Sequence, residues 1–202
     1  MATLHRYFPN WPELRIHESS AGWDKVSERL AKECSSYLCS QYDLNVPFGE
    51  TAATSAPSGT YRSENLEAQT FPDEIFDLVV LQDVFEHIFR PDLAIKEIAR
   101  TLTAGGAVIM TVPIIKQLDP SIRRAALVDG QVAHFLEPEY HGNPVGDEGS
   151  LVTIDWGYEI VSYLQHHSGL AFLMIKIDDI DRGIRAELNE VLIGFKRPIP
   201  NI

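Results

Sequence analysis

Two short, nearly continuous apolar runs stand in the middle of the 202-residue chain: FDLVVL at residues 76–81 and AVIMTV at 107–112. Runs of this kind predict parallel strands buried on both faces. Between them Ala94, Ile95, Ile98, Ala99 and Leu102 recur at helical spacing behind Pro91, a residue suited to the first helical position, and TAGG ends the helix. Upstream, residues 14–18 form a short candidate strand. The helix after it begins near Trp23 or Asp24 and carries Val26, Leu30, Ala31 and Cys34 on one face. YLCSQYD supplies a second strand ending near Gln41 to Asp43. Residues 46–61, VPFGETAATSAPSGTY, keep no period and predict a loop where a second crossover helix would be expected.

Residues 114–150 break the alternation. A short helix is expected over 121–127, and HFLEPEYHGNPVGDEGS then reads as a cap or substrate loop. Regular structure resumes with SLVTIDW, a helix carrying Ile160, Val161 and Leu164 that ends at Gly169, and the strands AFLMIKI and EVLIGFK. DDIDRGIRAELN joins those two strands into an expected antiparallel edge. Strand, helix and strand in this order, with right-handed crossovers, predict a doubly wound α/β sheet in a single domain over 1–202.

Charge removes one class of partner. A formal net charge of −12, with no long Lys/Arg cluster, repels a phosphate backbone and argues against nucleic acid. The acidity reads as solubility. Only Cys34 and Cys39 are present, so neither a disulfide framework nor a cysteine zinc site is expected, and a reducing, cytoplasmic setting fits. The opening MATLHRYFPNWPEL lacks the pattern of a signal peptide. No run of about 18 apolar residues predicts a membrane span.

The most specific stretch is ENLEAQTFPDEIFDLVVLQDVFEHIFRPDLAIKEIARTLTAGGAVIMTVP, residues 64–113. It combines Phe71-Pro72-Asp73, Phe76-Asp77, Asp83-Val84-Phe85-Glu86-His87, Glu97-Ile98-Ala99-Arg100 and Gly105-Gly106 in that order. This arrangement closely resembles the class I S-adenosylmethionine-dependent methyltransferases of the small-molecule type. The resemblance implies a mostly parallel, seven-stranded Rossmann-like sheet with an antiparallel C-terminal hairpin, S-adenosylmethionine as cofactor, and a small-molecule or sugar-containing acceptor. Carried over by position, it places Glu18, Ser20 and Gly22 at the first cofactor turn. Gln41 or Asp43 would face the ribose, Asn65 and Leu66 the adenine, and Gln82 and Asp83 the floor beneath the methionine portion.

Two departures from the family pattern bear on that implied site. The turn HESSAG, residues 17–22, keeps one glycine, whereas the family favours several because the cofactor approaches the backbone there. Asn65 replaces the usual Asp and offers its amide oxygen to the adenine amino group. The glycine-poor turn motivates an alternative reading, a methyltransferase-like binding or regulatory module without activity. A nucleotide-dependent dehydrogenase or epimerase is disfavoured by the lack of a G-x-G-x-x-G turn.

Methyl transfer to a weak nucleophile needs a general base. His87, His134 and His141 are candidates, with Glu137 and Tyr140 nearby; His134 and His87 are assigned the catalytic role. His134 belongs to the segment the fold brings over the substrate, and His87 follows the buried strand, where it also reads as a packed turn residue. His134, Glu137 and His141 are metal-ligand types, but Pro138 interrupts their spacing, and no metal is expected. Asp178, Asp179 and Asp181 read as a solvated turn. Trp11 and Trp156 read as core residues, while Trp23 lies where it could stack on a ligand.

Overall fold

The computed structural model describes residues 1–142 and 149–197. The expected loop over 114–150 is therefore described except for residues 143–148, which lie outside the described residues. Helix α1 (Ala2–Tyr7) and a turn of 3-10 helix (Trp11–Glu13) lead into strand β1 (Arg15–Ser19), helix α2 (Lys25–Glu33) and strand β2 (Ser36–Gln41). Strands β3 (Thr51–Ala53), β4 (Thr60–Ser63) and β5 (Phe76–Gln82) follow, then helix α3 (Pro91–Thr101) and strand β6 (Leu102–Thr111). Among its described residues the next segment holds six short strands: β7 (Ile122–Arg123), β8 (Ala125–Val128), β9 (Gln131–His134), β10 (Tyr140–His141), β11 (Ser150–Leu151) and β12 (Ile154–Asp155). Helix α4 (Ile160–Ser168) and strands β13 (Ala171–Lys176) and β14 (Glu190–Phe195) complete the described elements.

The main sheet has the order β3-β4-β2-β1-β5-β6-β14-β13. Strands β4, β2, β1, β5 and β6 run parallel, whereas β3, β14 and β13 each pair antiparallel with their neighbours. From β1 the chain winds first toward β2 and β4, then back toward β5 and β6. The order therefore reverses between β1 and β5, where a doubly wound sheet opens a crevice at its carboxyl ends. Register aligns those ends, since Ser19 pairs with both Ser40 of β2 and Leu81 of β5.

Alternation along β5 explains why the sheet is covered on both faces. Val79 and Leu81 join a core with Ile95, Ile98, Met110, Leu164 and Phe172, beneath α3 and α4. Leu78 and Val80 join the opposite core with Leu4, Trp11, Ile16, Leu30 and Ile193, beneath α1 and α2. Gly106 belongs in β6 because a Cβ there would lie 3.0 Å from the Thr103 carbonyl oxygen and 3.1 Å from that of Asp77.

Three expectations need correction. Residues 121–127 form parts of β7 and β8 in place of a helix. Asp129 and Gly130 both adopt positive φ in the two-residue connection between Val128 and its partner Gln131, the geometry of a type I′ hairpin turn. That turn chemistry prevails over the helix preference of the preceding alanines and leucine. The expected loop over 46–61 contains β3 and the start of β4, and β3 adds an eighth, antiparallel edge strand to the expected seven. Strand β6 begins at Leu102, directly behind α3, because Leu102 pairs with Phe76 across a register shift in β5. No helix occupies residues 42–59, so the hairpin β3–β4 stands in place of the second crossover helix.

One buried residue links the fold to pH. His17 is 0% exposed, packed against Phe71 and Phe76 with ring centroids 5.0 and 4.9 Å away, and its Nε2 lies 2.8 Å from Ser40 Oγ. Desolvation lowers its pKa from 6.5 to about 3. Folding thus requires the neutral ring, and this contribution is complete above pH 6.5 and lost as pH falls toward 3. The penalty at pH 5 is roughly 2 kcal/mol, at about 1.4 kcal/mol per pH unit below the unfolded value. Urea denaturation at pH 7 and pH 5 should show that difference shrink in His17→Asn; an equal pH slope in both proteins would refute the assignment.

Candidate functional site

The crevice between β1 and β5 is organised by Glu18, the penultimate residue of β1, which is 1% exposed. Its Oε1 accepts from Ser27 Oγ at 2.7 Å and from Gln82 Nε2 at 3.0 Å, while its Oε2 accepts from the Tyr37 hydroxyl. Burial pushes the Glu18 carboxyl up, opposed by the bonds from Tyr37 and Ser27; the negative charge of Asp24 raises it further, and the Gln82 bond lowers it. Burial, followed by the charge and the bond of Glu18, raises the Tyr37 phenol and keeps it a donor.

Asp24 caps α2 and closes this network. Its Oδ1 accepts from the backbone N–H groups of Val26 and Ser27, and its Oδ2 lies 2.9 Å from Ser27 Oγ and 3.2 Å from Gln82 Nε2. The first helix after β1, the end of β1 and the end of β5 are thereby locked together at the point of strand-order reversal.

The glycine-poor turn has a specific geometry. Ser20, not Gly22, takes the left-handed conformation, with φ 58°, and its N–H donates to the Ser40 carbonyl at 2.8 Å. A serine can occupy this conformation at a modest conformational cost that a glycine would avoid. The Ala21 carbonyl accepts from Gln41 Nε2 at 2.7 Å. At Gly22 an added Cβ would meet only Asp24 Oδ2, at 3.5 Å. Packing therefore does not require glycine at 22, and its open side is available for close approach of a ligand.

Beside the turn lies a cavity of about 210 Å³ walled in part by Ala21, Trp23, Gln41, Asp43, Thr54 and Tyr61. Small-molecule sites usually measure about 300–1,000 Å³, so this cavity is smaller than a site that encloses a whole ligand. Asp43 Oδ2 accepts from the Tyr61 hydroxyl, and Oδ1 accepts from the Asn45 backbone N–H at 2.9 Å and Asn45 Nδ2 at 3.1 Å. The Tyr61 bond, followed by the Asn45 contacts, holds the Asp43 carboxyl below its ordinary value. Tyr61 is correspondingly pushed up to about 12. Trp23 is 58% exposed at this cavity, whereas Trp11 and Trp156 are buried. A larger hollow, about 740 Å³, lies by β13 at the far edge of the sheet, lined in part by Arg6, Tyr7 and Asp178.

The predicted residues thus divide. Glu18 and Gln82 meet directly, Gln41 ties β2 to the turn, and Gln41 and Asp43 share the cavity wall. Asp83 sits just beyond β5 with φ 52°; its Oδ1 accepts from Thr111 Oγ1 and its N–H donates to the Thr111 carbonyl. Asn65 and Leu66 are not among the walls of the 210 Å³ cavity. Asn65 Oδ1 accepts from the Glu67 N–H at 2.9 Å in a local turn, and the Leu66 side chain belongs to the core. His134 is exposed at the end of β9, opposite Ala125. His87 is partly buried, with Nδ1 2.9 Å from the Leu151 carbonyl oxygen. Sequence reasoning passed over Ser27, Tyr37 and Tyr61. Their signal is positional only: Ser27 lies three residues past the helix cap, and the tyrosines sit on the strands beside the crevice.

Comparison with known proteins bears directly on this geometry. Residues 17–110, from within β1 to within β6, match the family described as a methyltransferase domain. With the strand order and the reversal at β1 and β5, that match assigns this region. Residues 17–110 carry a methyltransferase domain, and the fold is that of S-adenosylmethionine-dependent methyltransferases. Among curated proteins, the ubiquinone/menaquinone biosynthesis C-methyltransferase UbiE of Pasteurella multocida is 26% identical over 127 residues, covering 56% of this chain and 47% of that protein. Its counterpart from Pectobacterium carotovorum is 25% identical over 128 residues and is covered to 51%. The chain spans about half the length of the curated relatives it matches.

Solved structures show the same fold over nearly the whole chain. An S-adenosylmethionine-dependent methyltransferase from Mesorhizobium loti superposes with a TM-score of 0.62 at 16% identity, covering 97% of this chain and 96% of that one. A Burkholderia thailandensis 1,6-didemethyltoxoflavin-N1-methyltransferase, solved with bound 1,6-didemethyltoxoflavin and S-adenosylhomocysteine, gives a TM-score of 0.55 at 10% identity, with 97% of this chain and 76% of that one covered. In the fold described here, the β3–β4 hairpin stands where a crossover helix was expected, and six short strands lie between β6 and α4 among the described residues. No described helix is long and apolar enough to cross a membrane.

Proposed function

We propose that the protein transfers the methyl group of S-adenosylmethionine to a small-molecule or sugar-containing acceptor. The observation that carries this reading is the coupling of Glu18 to Gln82 at the strand-order reversal, beside a cavity bounded by Gln41 and Asp43. The ribose hydroxyls would meet Asp43, which retains acceptor capacity on Oδ2. The methionine portion would cross the open side of Gly22 toward Gln82 and Asp83, and Asn65 and Leu66 would border the adenine from outside the cavity. In the reaction the acceptor's lone pair forms a bond to the methyl carbon while the carbon–sulfur bond breaks and sulfur keeps the electron pair. The site's contribution is in-line positioning and removal of a proton where the acceptor is weakly nucleophilic.

The segment after β6 is proposed as the acceptor cap. Its β8–β9 hairpin exposes Leu127, Val128 and Val132, followed by Phe135, a surface suited to an apolar part of the acceptor. His134, exposed on the same hairpin, is proposed as the proton acceptor. The test is incubation with S-adenosylmethionine and an acceptor panel, with S-adenosylhomocysteine release and product mass as readouts. Accumulation of methylated product is expected. Failure to bind either S-adenosylmethionine or S-adenosylhomocysteine at millimolar concentration would refute the reading, and binding without turnover across the panel would favour a non-catalytic module.

A further inference from the structure

A second cluster, separate from the Glu18 network, stands where the chain leaves β5. Glu86 lies in the 3-10 turn Phe85–His87, is 2% exposed, and its two carboxylate oxygens are buried without a hydrogen-bond partner. A buried carboxylate left in this way is costly unless it takes up a proton or a cation compensates it. Two imidazoles face it. His87 Nε2 lies 3.6 Å from Glu86 Oε1, and His141 Nδ1 lies 3.8 Å from the same oxygen. One ligand atom from each of the three residues falls within 4.8 Å of the others.

The surroundings prepare these groups as ligands. The Leu151 carbonyl can only accept, so the neutral His87 ring carries its proton on Nδ1 and presents the bare Nε2 lone pair to Glu86. The Glu86 backbone is fixed by Thr153, whose N–H and hydroxyl both donate to the Glu86 carbonyl, at 2.7 and 3.0 Å. His141 is delivered by the β10–β11 pairing, in which Tyr140 lies opposite Leu151. Thus the carbonyl that orients His87 belongs to the strand pair that carries His141.

We propose that Glu86, His87 and His141 bind a divalent first-row transition-metal ion. Bonds of about 2.0–2.1 Å in tetrahedral geometry place ligand atoms about 3.3–3.4 Å apart, so the 3.6 and 3.8 Å separations need only small side-chain rotations to close on an ion. Two imidazoles and one carboxylate favour zinc, cobalt, manganese or ferrous ions over magnesium and calcium, which prefer all-oxygen shells. Three protein ligands leave at least one position open. His141, with a side chain 38% exposed, places that opening toward solvent. The open position would hold an acceptor oxygen, so the substrate class is a molecule offering a hydroxyl, carbonyl or carboxylate near the methylated atom. This role, unlike the metal site itself, rests on the methyl-transfer reading.

The test uses the tag-free 202-residue protein stripped with chelator and titrated with Co²⁺, followed by visible ligand-field absorption and by metal content after gel filtration. One ion per chain is expected. His141→Ala, at a partly exposed position, and Glu86→Gln should each weaken binding at least tenfold, while His166→Ala on α4 should leave it unchanged. Far-UV circular dichroism checks that each variant is folded. Absence of saturable one-to-one binding would overturn the proposal, as would equal affinity in folded His141→Ala. S-adenosylhomocysteine titration of the same samples separates the two readings: cobalt binding without cofactor binding refutes methyl transfer alone, and cofactor binding without cobalt binding refutes the metal site alone.

Discussion

A Gly22→Trp variant is expected to lose S-adenosylhomocysteine binding by at least about 100-fold, equivalent to about 2.7 kcal/mol of binding free energy, while keeping its melting temperature within a few degrees of wild type. The two halves of this expectation have different origins. Stability is preserved because nothing lies closer than Asp24 Oδ2, at 3.5 Å, to a Cβ built at Gly22, and the neighbouring Trp23 is already exposed. Binding is lost because an indole would fill the open side of the turn over which the methionine portion must pass. Gly22→Ala adds only a methyl group and should bind within a few-fold of wild type. Calorimetric titration of the three proteins checks the series. Undiminished binding by Gly22→Trp would mean that the cofactor does not cross this turn, and the proposed orientation would fail with it.

Glu18→Gln tests the network beneath the turn and should destabilise the fold by about 1–3 kcal/mol, the cost of leaving buried polar groups mispaired. Ser27, Gln82 and Tyr37 all direct donors at Glu18. A carboxylate accepts all three, but an amide has one acceptor oxygen and turns an NH₂ group toward the remaining donors. Because Gln82 reaches the crevice through Glu18, cofactor affinity should fall together with stability. Chemical denaturation gives the first effect and S-adenosylhomocysteine titration the second. An unchanged denaturation midpoint would show that the buried carboxyl is already protonated in the native fold, the direction in which desolvation drives it.

The legibility of this molecule followed the range of the interactions involved. Strands β5 and β6, and helix α3 between them, were readable because burial on both sides of a sheet demands apolar residues at consecutive positions and a helix repeats them at its own period. Helix α2 began beside Asp24, where a capping side chain announces the boundary. The β8–β9 hairpin was legible in principle from Asp129-Gly130, but the helix-forming residues before it pointed the other way. Strand β3 offered no local signal, since three residues of mixed polarity become a strand only when β4 lies alongside.

The candidate site divides along the same line. Local pattern alone determined that Glu18, Gln82 and Asp83 stand at strand ends, that a turn of small residues follows β1, and that Glu86 and His87 follow β5. Only the tertiary structure decided that Glu18 and Gln82, separated by 64 residues, share a hydrogen bond, that the left-handed turn position falls on Ser20, and that His141 arrives beside Glu86 and His87. Chain order constrains what neighbours in sequence can do, because their geometry is set by a few dihedral angles. Which distant groups meet depends on strand register and on the packing of intervening segments, and those are properties of the whole fold.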